Sequence, residues 1–342
     1  MTKIKTYVKD NKQKNVTLKI ISVIAAVLIA VTTISGCIGE DKKTIEVSGA
    51  NALQPMMEIW AEEYEAIHPD IKINVNGGGA STGMLQALAG TVDIGMVSRD
   101  IRDSEISQGA FWVSVARDTV VATMNANNPV KNLIYSQGVT RAQLEDIFTH
   151  TYSDRTIKTW GQLVRNDSIS DARIWVYTRA DSCGAAEMWA KFLGSDYVQG
   201  NLTNAADASQ TEDAPLRIEI TKDANRIGYN NLNTCYNLET KRPYDGILPI
   251  PIDLNANGIL DENESFYNTS TELVDAIKAG IYPSPPTRDL HLVTKDNFSG
   301  ITRDFVEWIL TEGQQYVSPS GYVELSETKI TEQLNILKTG QR

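Results

Sequence analysis

The sequence predicts an α/β protein with room for two domains, its polar donors gathered at the carboxyl ends of strands. Three observations predict it. Strand-forming and helix-forming stretches alternate from residue 44 onward, three successive strand ends carry polar groups, and 342 residues suffice for two substantial cores. A hydrophobic fraction of 42% and a charged fraction of 22% are ordinary for a globular chain.

Residues 1–36 read as an export signal. Lys3, Lys5, Lys9, Lys12, Lys14 and Lys19 precede an apolar run, Ile20 to Ile34, which meets the small residues Ser35 and Gly36. Ile34-Ser35-Gly36-Cys37 resembles the lipobox of prokaryotic lipoproteins, which would make Cys37 the lipidated first residue of the mature chain. A single uncleaved anchor helix is the alternative. Either way the remainder is expected outside the cytoplasm, tethered to the outer face of the cytoplasmic membrane, with 37–43 as a spacer. Removing 1–36 takes away six lysines and Asp10, moving the formal net charge from −11 to −16. So acidic a chain suits neither nucleic acid nor an anionic membrane surface, and an anion site in it must rest on local dipoles and hydrogen bonds.

Thr44 to Ser48 is a strand, followed by Gly49-Ala50-Asn51 and a helix with Met57, Trp60, Ala61, Tyr64 and Ile67 on one core face. Asn51 stands where an N-cap would, ahead of Ala52 and Leu53. A second strand, Ile71 to Val75, runs into Gly77-Gly78-Gly79-Ala80-Ser81-Thr82-Gly83 and a helix, Met84 to Ala89. Glycines let a backbone approach a ligand closely, and Ser81 and Thr82 can cap the helix and offer hydroxyls, so the stretch reads as an oxyanion cradle; a merely flexible loop is the alternative. Thr91 to Val97 is the third strand and ends in Ser98-Arg99-Asp100. Phe111 to Met124 reads as one long strand leading toward a second domain, and Thr140 to Phe148 as a helix.

Trp175 to Tyr177 forms a strand that leads to Arg179, then a turn with Asp181, Ser182, Cys183 and Gly184, then the helix Ala185 to Leu193. A helix N-terminus presents unpaired N–H groups and a positive dipole end. Arg179 adds a fork of donors, and Asp181 is close enough to orient it. An exposed turn with a solvated arginine would use the same residues.

Asp253 to Glu264 follows the EF-hand loop pattern, with Asp253, Asn255, Asn257, Asp261 and Glu264 at positions 1, 3, 5, 9 and 12. Gly258 occupies position 6, and Ile259 would supply a backbone carbonyl at position 7. A strand-like stretch, Gly246 to Ile252, stands where the entering helix would be, so a single loop on another fold is expected. Its ion would be a structural Ca²⁺; a solvated acidic turn is the alternative. Cys183 and Cys235 could form a disulfide in an exported chain or remain free thiols. His68, His150 and His291 have no ligand spacing, and no nucleophile elbow, Walker loop or dinucleotide fingerprint is present. The one enzyme reading is a Cys183 thiolate at a helix N-terminus beside an arginine, with no general acid placed by sequence. No catalytic residue is expected.

SGANALQPMMEIWAEEY, NGGGASTG, GTVDIGMVSRDI, LEDIFTHTYSDRTIKTWGQL, TRADSCGAAEMWAKFLG and IGY, in this order, resemble the phosphate-binding lipoproteins and periplasmic proteins of ABC phosphate importers, across about Thr44 to Leu337. The resemblance implies a type II periplasmic-binding-protein fold: two α/β lobes joined by a two-crossover hinge, closing over a dehydrated oxyanion. Lobe 1 would combine 44–126 with 283–342, and lobe 2 would be 127–282. The implied ligands are the backbone at Asn51 and Ala52, the hydroxyls of Ser81 and Thr82, Ser98, Arg99 and Arg179, and the turn of Ser182, Cys183 and Gly184. The implied function is that of a monomeric receptor that captures phosphate and delivers it to an ABC permease complex. Departures bear on specificity. The family's Ser-Gly-Thr turn is here Cys183-Gly184-Ala185, and many members have an aspartate where Ser98 stands, whose carboxylate accepts the proton of hydrogen phosphate. Asp100 and Asp181 are the substitutes in view, with Asp181 expected to be engaged by Arg179. Another oxyanion (tungstate, molybdate or sulfate) or a calcium-stabilised surface module without solute are the alternatives.

Overall fold

The computed structural model describes residues 42–341. The expected leader 1–36, the expected lipidation site Cys37 and most of the spacer lie outside the described residues.

Ten strands form two five-stranded sheets among the described residues. In chain order they are β1 (Lys43–Gly49), β2 (Ile71–Asn76), β3 (Ile94–Val97), β4 (Ala110–Asp118), β5 (Val120–Asn125), β6 (Trp175–Arg179), β7 (Ala208–Gln210), β8 (Arg226–Asn231), β9 (Ile247–Pro249) and β10 (Arg288–Lys295). The first sheet has the order β2-β1-β3-β10-β4 and the second β7-β6-β8-β5-β9. Each is mixed: β1 runs parallel to β3, and β10 antiparallel to β3 and β4, while β6 runs parallel to β7 and β8, and β5 antiparallel to β8 and β9. Their central strands are buried on both faces, which is why IGMV in β3 and VVATMN in β5 read as nearly unbroken apolar runs and do not alternate.

Each sheet has its own apolar core. Trp60 and Tyr64 of the helix Gln54–Ile67 pack in the first with Leu290 and Phe305; Phe148, Trp160, Trp189 and Tyr229 anchor the second. Ile67, expected on the core face, is the last residue of its helix and is 58% exposed.

The stretch 111–124 is not one strand. It breaks at Thr119, with β4 in the first sheet and β5 in the second. The chain therefore crosses between the sheets at Thr119, where a boundary at 126 was expected, and the residues 120–125 assigned to lobe 1 lie in the second sheet. The chain returns between Tyr282, packed in the second core, and β10 in the first sheet. The two crossings touch: Thr287 Oγ1 donates to Thr119 Oγ1 at 3.1 Å, and Arg288 pairs with buried Asp118 at 3.1 Å. Periodicity missed the break because both strands are buried, and an apolar run carries no mark of which sheet owns it.

Candidate functional site

The carboxyl ends of β1, β3, β6 and β8 converge on one cavity between the two sheets. It is lined by Ala50, Asn51, Ala52, Gly79, Ala80, Ser98, Arg179, Cys183, Gly184, Ala185, Asp213 and Asn231. The cavity is small, and its walls are backbone and short side chains apart from Arg179, Asp213 and the two asparagines.

Three helices begin beside it: Gln54–Ile67, Ala80–Ala89 and Gly184–Leu193. The helices Ala80–Ala89 and Gly184–Leu193 have no side-chain cap bond at their starts and line the cavity with their first residues, which brings the positive ends of two dipoles to it. Ahead of Gln54–Ile67 the cavity is lined by the turn Ala50 to Ala52, since Gln54 N donates to Ala50 O and Pro55 has no N–H. Asn51 is not the N-cap expected of it. Leu53 holds that position, and Asn51 Oδ1 accepts from Gly78 N at 2.9 Å, tying the glycine loop to the first helix. Ser81 and Thr82 do not cap either: Gly79 stands at the N-cap, and Thr82 is exposed.

Arg179 is buried at the end of β6, 1% exposed. Its Nε donates to Asp181 Oδ1 at 2.7 Å, its Nη2 pairs with Asp181 Oδ2, and its Nη1 stands 2.9 Å from Asp213 Oδ1. Burial opposes the guanidinium's charge, but Asp213 and Asp181 outweigh it and hold the Arg179 pKa above its ordinary value. Asp181 is lowered: burial works against the carboxylate, and Arg179's hydrogen bond and charge prevail. The expected pairing of Asp181 with Arg179 is therefore present. Burial pushes the Cys183 thiol up to about 11, against the pull of Arg179. That direction works against the thiolate on which the enzyme reading depends. Cys183 and Cys235 are both free.

The two halves are in contact across the cavity. A Cβ on Gly184 would lie 2.2 Å from Ser98 O and 2.4 Å from Ser98 Oγ, and one on Gly79 would lie 3.0 Å from Ser182 O. Ion pairs flank these approaches: Glu187 lies 3.7 Å from Arg99 Nε and 3.4 Å from Arg102 Nη2, and Lys191 Nζ is 3.0 Å from Asp100 Oδ2.

Of the residues expected here, Asn51, Ala52, Ser98, Arg179, Cys183 and Gly184 meet at the cavity, while Ser81, Thr82, Arg99 and Ser182 do not line it. Arg99 is committed elsewhere: Nη1 and Nη2 donate to Glu105 at 2.9 and 2.7 Å, and Nη1 also donates to Asp100 O. Its buried guanidinium orders the chain after β3 and takes part in the Glu187 contact. Sequence reasoning missed Asp213 and Asn231. The signal for Asp213 was an acidic pair, Glu212-Asp213, ahead of a helix; nothing local marks Asn231.

The acidic loop lies apart from this cavity and is held by its own hydrogen bonds. Buried Asp253 accepts from Asn257 N at 3.2 Å and Gly258 N at 2.8 Å, and Gly258 takes φ +82. Buried Glu264 accepts from Leu254 N at 3.0 Å and Asp261 N at 3.3 Å, closing position 12 back on the start of the loop. Leu260 N donates to Ser136 O, so the loop is braced by its own fold and needs no second hand. Among the described residues no group of three His, Cys, Asp or Glu side chains stands as a metal site, so a cation here would also need the Asn255 and Asn257 amides and the Ile259 carbonyl.

A family model described as the PBP superfamily domain matches residues 38–312, and the chain belongs to that family. It is 26% identical over 305 residues to the phosphate-binding protein PstS of Bacillus subtilis, covering 87% of this chain and 86% of that protein. With the phosphate-binding protein PstS of Pseudomonas aeruginosa it shares 26% over 221 residues, a match that spans 65% of the relative's length. Among solved structures it is similar to a substrate-binding protein with bound phosphate from Clostridium perfringens, with TM-score 0.64 and 24% identity over 83% of this chain and all of that one. An ABC-type phosphate transport receptor from Vibrio cholerae gives TM-score 0.59 and 19% identity, over 82% of this chain and all of that one. These structural likenesses establish the fold.

Proposed function

From that membership we propose that the chain is an extracytoplasmic receptor that captures phosphate and delivers it to an ABC permease complex, held at the membrane through Cys37. One observation carries the reading: a small cavity between the two sheets, faced by two uncapped helix N-termini and a buried arginine. Such a site replaces the hydration shell of an oxyanion with fixed N–H and N⁺–H donors. The relatives named PstS support phosphate as the anion. The contacts between Gly184 and Ser98, and between Glu187 and Arg99, support a closed state that buries the ion and is the form a permease would recognise. The halves comprise the first sheet with 288–341 and the second sheet with 120–282, acting as a monomer without enzymatic turnover.

The reading includes a structural Ca²⁺ at Asp253, Asn255, Asn257, Ile259, Asp261 and Glu264. The backbone bonds at Asp253 and Glu264 support it, since they hold the first and last ligands of the loop together.

Thermal unfolding of residues 38–342, stripped of anion by mild denaturation, tests both parts. Phosphate at a hundred times its dissociation constant should add roughly 2.7 kcal/mol, with a matching rise in midpoint. A rise with tungstate, molybdate or sulfate but not phosphate would keep the fold and replace the ligand. No rise with any anion would leave a surface module without solute. Calcium should raise the midpoint independently of anion, and a midpoint indifferent to calcium and chelator would remove the metal from the reading.

A further inference from the structure

Ser98 at the cavity carries no carboxylate, and Asp181 spends both of its oxygens on aligned hydrogen bonds from Arg179. Asp100, the other substitute, is exposed and paired with Lys191. The cavity nevertheless has a second carboxylate. Asp213, 9% exposed, lines it from the opposite half, as the first residue of the helix Asp213–Thr221.

The surroundings of Asp213 hold it in one orientation. Asn231 Nδ2 donates to its Oδ2, and Asn230 Nδ2 donates to its backbone carbonyl at 3.0 Å. Asn231 is itself held by Arg288, whose Nη2 donates to Asn231 Oδ1 at 2.6 Å and pairs with Asp118 at the crossing. Just before it, Glu212 takes φ +69, a conformation a non-glycine residue seldom adopts, and its N–H donates to Asp181 Oδ1 at 3.1 Å. One oxygen remains. Asp213 Oδ1 is buried and accepts no aligned hydrogen bond, although Arg179 Nη1 is 2.9 Å away. A buried oxygen with open lone pairs facing an anion cavity costs stability unless a ligand donor completes it.

We propose that Asp213 is the specificity-determining carboxylate of this site, accepting the proton of a protonated tetrahedral oxyanion and rejecting anions that have none. The inference rests on the oxyanion reading above and narrows it to hydrogen phosphate and its protonated analogues. Before any ligand enters, one cation, Arg179, faces two carboxylates, Asp181 and Asp213. Hydrogen phosphate places its P–OH between the two negative groups and donates to Oδ1. Sulfate, molybdate and tungstate carry no proton at neutral pH, so the same edge sets oxygen against carboxylate, and that repulsion is the discriminating element. The selecting group thus comes from the half opposite Ser98.

Titration calorimetry of the full mature chain at pH 7.5, with phosphate, arsenate, sulfate and tungstate, tests this on wild type and Asp213→Asn. Wild type should bind phosphate and arsenate in preference to sulfate and tungstate. Asp213→Asn keeps the shape and the bond from Asn230 to the backbone carbonyl, but offers no second acceptor. It should weaken phosphate by about 10- to 100-fold, as for a lost hydrogen bond to a charged group, and strengthen sulfate, collapsing the ratio. If Asp213→Asn does not fold, judged by unfolding without anion, Asp213→Ser takes its place. A folded variant that keeps the wild-type phosphate-to-sulfate ratio overturns the inference and leaves the oxyanion reading intact. A wild type that binds sulfate as tightly as phosphate also overturns it. A wild type that binds no oxyanion overturns the reading on which the inference rests.

Discussion

Gly184→Ala isolates closure from folding. Gly184 opens the helix Gly184–Leu193 in an ordinary backbone conformation, so alanine is tolerated within its own half and, as the better helix former, should add about 0.5–1 kcal/mol to stability. Across the cavity the same methyl would lie 2.2 Å from Ser98 O and 2.9 Å from Ser98 C, which are backbone atoms and cannot rotate away. Restoring ordinary carbon contact at about 3.5 Å requires the halves to part by roughly 1 Å. Donors of the two halves then no longer reach one anion together. Losing two such charge-assisted bonds costs about 3 kcal/mol or more, close to a hundredfold in affinity. Phosphate affinity by calorimetry and unfolding by urea, measured on the same variant, should move in opposite directions. Wild-type affinity in Gly184→Ala would refute the claim that the closed contact between Gly184 and Ser98 belongs to the bound state.

Two further outcomes follow from the buried charges. Arg179→Met leaves Asp181 and Asp213 without their shared cation, so it should abolish anion binding and destabilise the chain by about 3–5 kcal/mol in urea; a variant as stable as wild type would show that the carboxylates are solvated. Burial raises Asp118 to about 6, against the pull of Arg288 and the N–H of Thr119. The folded chain therefore binds this proton between about pH 4 and 6 where the unfolded chain has released it, so this group's contribution to stability falls as pH rises through that window. Asp118→Asn should remove that slope, and equal slopes for wild type and variant in urea melts from pH 4.5 to 7 would contradict the assignment.

Much of the site was legible locally. Arg179 with Asp181, and Gly184 at a helix start, lie within one strand-turn-helix unit, and their chemistry depends on residues a few positions apart. The glycine loop was legible as a close approach, but not the partner it approaches: Gly79 faces Ser182, a residue of the other half. Arg99 was misassigned for a related reason. A strand end predicts where a side chain starts, and Glu105, six residues on, decided where its guanidinium went.

The sequence by itself determined the α/β class, the order of its elements, the acidic loop and the arginine turn, because alternation, glycine placement and helix starts are short-range properties of the backbone. Only the tertiary structure decided that the apolar run 111–124 divides between two sheets at Thr119, since burial on both faces erases the periodicity that would mark the break. It also decided that Asp213 and Asn231 face the anion cavity beside Ser98 and Arg179. Those four residues come from separate strand ends and a helix start, and their chemistry exists only once the two halves close on one another.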